Sequence, residues 1–497
     1  MRPHLSAVGR SILLLGSALL PLSGEAQLIS LKTVPVAAGD QFLIFPSENL
    51  GMGGVTIALD DRSLDPFVNP ARGARRGESR FFATPTFYGI SENNGNARTL
   101  PVGAFMGSDK WFGAAVFAVQ QLQTGDNQVF PLPLADLGIV PSNALSERSA
   151  TNQYAFASLG RRFGGGRVAV GASAMLADLN AVDGVEHMYA LSSAIDQFGH
   201  VEDYRLGLTT QWAGDRSLEV VVLHNRFDMT HDVTYVDWVL TDSTVWIWEQ
   251  RVRVETNLDK TRTWGMHLGY VQPIGSSAWR IGGILTVNRK SHPKIPNYEL
   301  MNIPRDPGTS WAYNLGVGAS KTEGPTTFAV DFIYEPAVSH TWAEALEDVP
   351  SASGRVIGVG DKTIENRFNF SNTTIRLGVA RTIDIATLQL GLQVRSFDYT
   401  LRQQDHVAVT NRRQDEQWME WTPSWGASFA FADLEVRYVG RVLTGTGRPG
   451  VAWNGGVADR FESAGAANDI VIAPGGPLTL QNARVLTHQV GIAIPIR

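Results

Sequence analysis

Between residues 263 and 272 the chain reads Thr-Trp-Gly-Met-His-Leu-Gly-Tyr-Val-Gln, with Trp264, Met266, Leu268 and Tyr270 alternating with Thr263, Gly265, His267 and Gly269. Successive side chains of a strand point to opposite faces, so this segment has one apolar face and one small or polar face. The pattern recurs. Leu388, Leu390, Leu392 and Val394 oppose Gln389, Gly391, Gln393 and Arg395, and Phe328, Val330, Phe332 and Tyr334 oppose Ala329, Asp331, Ile333 and Glu335. Leu434, Val436, Tyr438 and Val442 oppose Glu435, Arg437 and Arg441. A charge in hydrocarbon is costly, so the charged faces are expected to line a lumen and the apolar faces to meet lipid. Arg280, Arg376, Arg395, Glu435 and Arg437 are the lumen charges this assigns.

From residue 80 onward such strands come in pairs joined by tight turns at Ser108-Asp-Lys, Gly164-Gly-Gly, Gly214-Asp-Arg, Gly275-Ser-Ser, Thr322-Glu-Gly, Asp384 and Ala432-Asp433. Gly, Asp and Ser are the residues hairpin tips require. Between the pairs lie long polar connections at 122–150, 179–202, 228–260, 290–309, 337–371, 401–418 and 446–483. Short turns on one rim and long loops on the other predict an all-β, transmembrane antiparallel β-barrel over residues 80–497. With a first strand near 80–90 and a last near 485–496 the count is 16, and 14 stays open. Trp111, Trp212 and Trp279 sit beside short turns, where an interfacial aromatic girdle belongs. A soluble propeller or sandwich would alternate in the same way, but with its charged face in bulk water.

The N-terminus tilts the balance toward export. Arg2 and Arg10 precede the apolar run 12–21, and Gly24 and Ala26 suit cleavage before Gln27, so residues 1–26 are expected to be a secretory signal peptide. No later run approaches the roughly 20 apolar residues of a spanning helix, so crossing must be done by strands. There is no cysteine, which excludes disulfides and thiolate metal sites, and the net charge of −6 offers no footprint for nucleic acid.

Residues 27–79 precede the wall and hold a Gly-rich stretch, Gly51-Met52-Gly53-Gly54, then Ala58, Asp60, Asp61 and Ser63, then the triplet Asn69-Pro70-Ala71. The glycines allow close packing of this segment on other backbone, and Asn69 before Pro70 favours a turn into the first strand. Asp60, Asp61 and Asp65 are expected to pair with lumen arginines such as Arg280, Arg376, Arg395 or Arg437; their spacing matches no EF-hand loop. The histidines share no ligand spacing, and no Gly-x-Ser-x-Gly elbow or phosphate loop is present. An enzyme, a metal and a cofactor are therefore not expected.

Residues 41–71, through those glycines, Asp60, Asp61 and the Asn69-Pro70-Ala71 triplet, resemble the N-terminal signature of the FadL and PorV group of outer-membrane barrels. The resemblance implies that residues 27–79 form a hatch inside the lumen, with Gly51, Met52, Gly53, Gly54, Asp60, Asp61, Asn69, Pro70 and Ala71 as its hatch and ligand-binding residues. It also implies a barrel of commonly about 14 strands. A FadL-like role would be passage of hydrophobic small molecules (long-chain fatty acids, hydrocarbons or aromatics), collected by Phe130, Leu132, Pro133 and Leu134 and by Trp238, Trp246 and Trp248. A PorV-like role would be binding of exported proteins within a secretion system, and Phe42-Leu43-Ile44 is closer to that version of the signature. Outer-membrane lipid is the implied surrounding in either case. The chain departs from many such barrels in ending on Arg497 instead of an aromatic residue, and Pro495 removes a ladder donor where the last strand should meet the first.

Overall fold

The computed structural model describes residues 27–33, 35–91, 94–125, 149–187, 192–242, 247–275, 277–292, 307–345, 347–451 and 478–496, with no side chains for 237–248, 448–451 and 478–481. The export segment 1–26 and the proposed collectors Phe130, Leu132, Pro133, Leu134 and Trp246 fall outside these residues, as do the side chains of Trp238 and Trp248.

The wall begins with a strand in two halves, Arg80–Ala83 and Thr86–Ile90, here together β1. It continues with β2 (Gly95–Gly107), β3 (Trp111–Thr124), β4 (Ser149–Phe163), β5 (Val168–Leu179), β6 (Ala194–Trp212), β7 (Arg216–Asp242) and β8 (Ile247–Pro273). Then come β9 (Trp279–Ser291), β10 (Gly308–Glu323), β11 (Thr326–Glu344), β12 (Lys362–Ile383), β13 (Ala386–Asp405), β14 (Thr410–Ala430), β15 (Glu435–Val451) and β16 (Leu478–Pro495). Each pairs antiparallel with its neighbours in sequence, and β1 pairs with both β2 and β16, so one sheet closes on itself as a 16-stranded barrel. Closure leaves the sheet without an edge in the membrane, where an unpaired backbone group would find no water.

The first strand is split by Pro85, yet the ladder runs through. Thr84 N donates to the Pro101 carbonyl at 3.0 Å and Val490 N to the Pro85 carbonyl at 2.9 Å. Pro495 likewise does not break the seam: it stands opposite Arg80, and Ile496 N donates to the Ser79 carbonyl at 2.8 Å.

The two faces divide as the alternation predicts. Trp264 and Tyr270 are 58% and 38% exposed on the outside, whereas Thr263 and His267 on the inner face are buried to 2% and 3%. Phe328, Phe332, Leu388 and Leu390 are exposed, and Asp331, Arg376 and Gln393 are buried within. Trp111, Trp212 and Trp279 project outward beside the short turns. A closed barrel with an apolar outer belt and an aromatic rim is the form of a protein that spans a bilayer with strands.

The outer connections differ from expectation. Residues 228–242 and 247–260 are strand and not loop: β7 and β8 stay paired from Ser217↔Val271 out to Trp238↔Gln250 and beyond. Likewise β11 extends to Glu344 and β12 starts at Lys362, and β13 and β14 remain paired to Asp405↔Thr410. The physical reason is solvent. Beyond the bilayer the outer face of a strand is wet and needs no apolar residues, while the inner face, buried here at Met229, His231, Val233, Glu255 and Asn257, mixes polar with apolar ones, so the alternation fades while the hydrogen-bond ladder persists.

Candidate functional site

The N-terminal segment is held inside the barrel by contacts to inward-facing side chains on many strands. It folds locally because Asp61 gathers it. The buried Asp61 carboxylate accepts from Ser47 Oγ at 2.6 Å, from the backbone N–H of Glu48 and Asn49, and from those of Ser63 and Leu64. Two stretches of the chain are thereby tied into one loop. A short helix, Asp65–Val68, follows; Asn69 Oδ1 then accepts from Ala71 N at 3.0 Å and caps the turn Pro70–Arg75, where Pro70 fits the first helical position.

The glycines serve close approach. Gly53 has a φ of 73°, in the left-handed region, and its N–H donates to Ser424 Oγ of β14 at 3.0 Å. A Cβ placed on Gly391 of β13 would lie 2.0 Å from Gly53 N, and one on Gly378 of β12 would lie 2.4 Å from the Met52 carbonyl. Backbone thus rests on backbone. Farther along, Thr56 N donates to Asp331 at 2.8 Å, and Ser320 Oγ donates to the Ala58 carbonyl at 2.7 Å.

Charge fixes the far end. Arg72 pairs with Asp65 at 2.5 Å and with Glu219 of β7 at 2.6 Å, all three buried. Asn69 Nδ2 donates to the same Glu219 at 2.9 Å, and His267 Nε2 stands 3.5 Å from it. Asp60 pairs with Arg75 at 2.6 Å and Arg280 at 3.1 Å. Burial opposes ionisation of Asp60, but Arg75 and Arg280 outweigh it and hold its carboxyl below the usual range. For Asp65 the balance reverses. Burial dominates over Arg72 and pushes its carboxyl up to about 7.

Of the arginines expected to meet these acids, Arg280 reaches Asp60. Asp65 turns instead to Arg72 of its own segment, and the contacts of Asp61 are hydroxyl and backbone N–H groups. Arg437 donates to the Ser47 carbonyl at 3.0 Å and pairs with Glu435, which also meets Arg80. Arg395 lies over the Phe397 ring, 5.0 Å from its centroid. Among the described residues no group of three or more His, Asp or Glu side chains is arranged to hold a metal ion.

Between the segment and the wall lies a cavity of about 1160 Å³, its open mouth included. The segment contributes Leu43, Leu50, Ile57, Leu64 and Val68; the wall adds apolar Val271 and Ile284 and polar Arg376, Gln393 and Thr422. Gly53 and Gly54 line it; Gly51, Met52, Asp60, Asp61, Asn69, Pro70 and Ala71 do not, and instead shape or anchor the segment behind it. A second cavity of about 480 Å³ near the short-turn rim is lined by Arg80, Glu435, Arg437 and Phe82. Ser47 lines both, so the segment stands between them.

Sequence reasoning missed Arg72 and Glu219. A signal was present: Glu219 is a lone acid in the strand Leu-Glu-Val-Val-Val, which demands a partner, and Arg72 follows the Asn-Pro-Ala triplet directly.

No family model matches the chain, and no curated protein matches it. Among solved structures it is similar to a FadL homologue of Pseudomonas aeruginosa, with 12% identity, 93% of this chain and 100% of that chain covered, and a TM-score of 0.45. The CymD monoaromatic hydrocarbon channel shares 10% identity over 93% of this chain and 98% of its own, with a TM-score of 0.40. The toluene transporter TodX of Pseudomonas putida shares 13% over 90% and 96%, with a TM-score of 0.37. At these identities the likeness is one of barrel architecture and says nothing of what passes through this chain.

Proposed function

We propose that this protein is an outer-membrane channel for small hydrophobic molecules, of the class of long-chain fatty acids, hydrocarbons or aromatics, with residues 27–79 as its hatch. The observation that carries the reading is the cavity. Its lining sets the apolar Leu43, Leu50, Ile57, Leu64, Val68, Val271 and Ile284 beside many polar and charged side chains, among them Asp65, Arg72, Glu219, His267, Arg376 and Arg441; apolar walls with polar groups converging on them are what a small-molecule site needs. The N-terminal segment stands between this chamber and the one near the short-turn rim, which suits a channel that admits a bound molecule and resists free flow of water.

The test is uptake. A strain lacking the gene is compared with the same strain carrying it, using radiolabelled hexadecanoate, hexadecane and toluene in turn. Faster accumulation of at least one compound in the complemented strain is expected. Equal accumulation of all three in both strains would sink the reading.

A further inference from the structure

On the outer face of β9 the apolar belt runs from Trp279 through Ile281 and Leu285 and ends at a cation, Arg289. Arg289 follows Trp279 by ten positions on the same face. At roughly 3.4 Å per residue and a tilt of about 40°, it stands about 26 Å farther along the barrel axis, against an apolar band roughly 25 Å tall. It therefore marks the edge of the belt on the long-loop side. Its cross-strand partners on β8 and β10 are Trp264 and Trp311, both exposed, and such rings settle at the level where hydrocarbon gives way to headgroups.

Arg262 of β8 lies one step farther out on the same face. It is opposite Ser291 of β9, which makes Arg289 its diagonal neighbour, within reach of a long side chain. On its other side it is opposite Arg226 of β7. Arg226 has acids of its own: Asp228 accepts from its Nε at 2.7 Å, and Glu202 is its cross-strand partner on β6. Lys260, next outward along β8, is opposite that same Asp228. Arg262 and Arg289 are served by neither acid. Both are exposed, neither is opposite an acid on an adjoining strand, and among the described residues neither forms an ion pair.

Like charges directly opposite one another weaken a strand pair, and an anion set between them removes that cost. The headgroup layer is where such an anion is found, since clustered arginines beside a bilayer attract its anionic lipids. A guanidinium meets a phosphate through two parallel N–H···O bonds, and a phosphate monoester, with a charge of about −2, matches two guanidinium groups.

We infer that Arg262 and Arg289, framed by Trp264 and Trp311, bind the phosphate headgroup of an outer-leaflet lipid whose acyl chains lie along Met266 and Leu285 of the belt. The leaflet follows from the rim, because the long loops of such barrels face outward. The site is on the outside of the wall, so it is independent of what passes through the lumen.

The test uses the whole protein purified in detergent and native mass spectrometry of its lipid adducts. The probes are bisphosphorylated lipid A, the same lipid stripped of its phosphates, and inorganic phosphate as competitor. Wild type is compared with two double variants. One is Arg262→Gln, Arg289→Gln; the other is Arg167→Gln, Arg216→Gln, which removes the same charge from exposed positions at the opposite, short-turn rim. Wild type and the rim variant are expected to bind the phosphorylated lipid about tenfold tighter than the stripped one, and Arg262→Gln, Arg289→Gln to lose that preference. Inorganic phosphate at the same concentration should leave the lipid in place, because the free ion lacks the contact of the acyl chains. The inference is overturned if the preference survives in Arg262→Gln, Arg289→Gln, or if wild type binds both lipids alike. Loss of the preference in the rim variant as well would overturn it in favour of net charge alone, and displacement by inorganic phosphate in favour of a free-anion site. Should the double variant fail to fold, Arg289→Gln alone is read by the same ratio.

Discussion

Arg72 grips Glu219 at two points inside the lumen, Nε to Oε2 and Nη2 to Oε1, each at 2.6 Å. The same guanidinium holds Asp65 at 2.5 Å, so one cation serves two buried carboxylates, one on its own segment and one on the wall. Such a group is stable only as a set. The loss of hydration on burial is offset only while every charge keeps its partner.

Removing Arg72 should therefore harm the protein more than removing Glu219. Arg72→Met strands two buried acids, and a loss of about 3–5 kcal/mol is expected. Glu219→Gln leaves Arg72 with Asp65 and keeps a hydrogen-bonding side chain, so its loss should be smaller. Denaturant unfolding in detergent measures both, and the reverse order would contradict the network.

Asp65 gives the segment a pH dependence. Its folded-state carboxyl is raised from 3.8 to about 7, so the folded protein holds this proton where the unfolded chain has released it. Its contribution to stability is therefore full below 3.8, declines as the pH rises toward about 7, and is absent above. Asp60, whose carboxyl is lowered, acts with the opposite sign, its contribution being lost as the pH falls below its ordinary value. Comparing wild type with Asp65→Asn isolates the first effect. The melting temperature of wild type should fall relative to the variant across that window, and parallel curves would refute the assignment.

Gly391 should tolerate no side chain. A Cβ there would meet Gly53 N at 2.0 Å, a backbone atom that cannot swing aside, so Gly391→Val must displace the segment at a cost of about 1–3 kcal/mol. The chain lacks cysteine, so a single Met52→Cys reports the displacement. Its labelling by a water-soluble maleimide should be slow while Gly391 is retained and fast once the Gly391→Val substitution is added. Equal rates would show that the segment stays seated.

The segment also touches β15 directly. Val36 bridges Gly447 in parallel, with Ala37 N donating to the Gly447 carbonyl at 2.6 Å and Gly447 N to the Pro35 carbonyl at 2.8 Å. Among the described residues, β14–β15 pairing stops outward at Trp421↔Thr444, so this stretch of β15 is covered by the segment instead. A Val36→Cys, Gly447→Cys pair should oxidise readily. If the hatch moves here, oxidation should cut uptake severalfold and dithiothreitol restore it. Uptake indifferent to oxidation would show that cargo passes while residues 35–37 stay on β15.

The candidate site was half legible in advance. Gly51, Gly53 and Gly54 were expected to lie close to other backbone; Gly51 and Gly53 do, against Gly426 and against Leu377 and Leu392, whereas Gly54 has open space where a side chain would stand; Asp60 and Arg280 were named as partners, and they meet. Arg72 and Glu219 went unseen because their relation spans 147 positions of sequence, and only the closed barrel sets one opposite the other. The stack of Phe397 on Trp418 in the lumen was hidden for a related reason. Phe397 could be placed on a strand, but Trp418 fell in a stretch expected to be a loop, so no stack between them could be drawn.

By itself the sequence determined which face of each strand meets lipid, where the short turns fall, and that a distinct segment precedes the wall. Each is a local matter: the pleat turns alternate residues outward, hydrocarbon rejects charge one side chain at a time, and Gly and Asp mark tight turns within a few residues. Only the tertiary structure decided that the strands number 16, that they continue paired beyond the bilayer, and which charges and rings stand together in the lumen. Those outcomes depend on register and closure around the whole barrel, and a single strand carries no record of its distant partners.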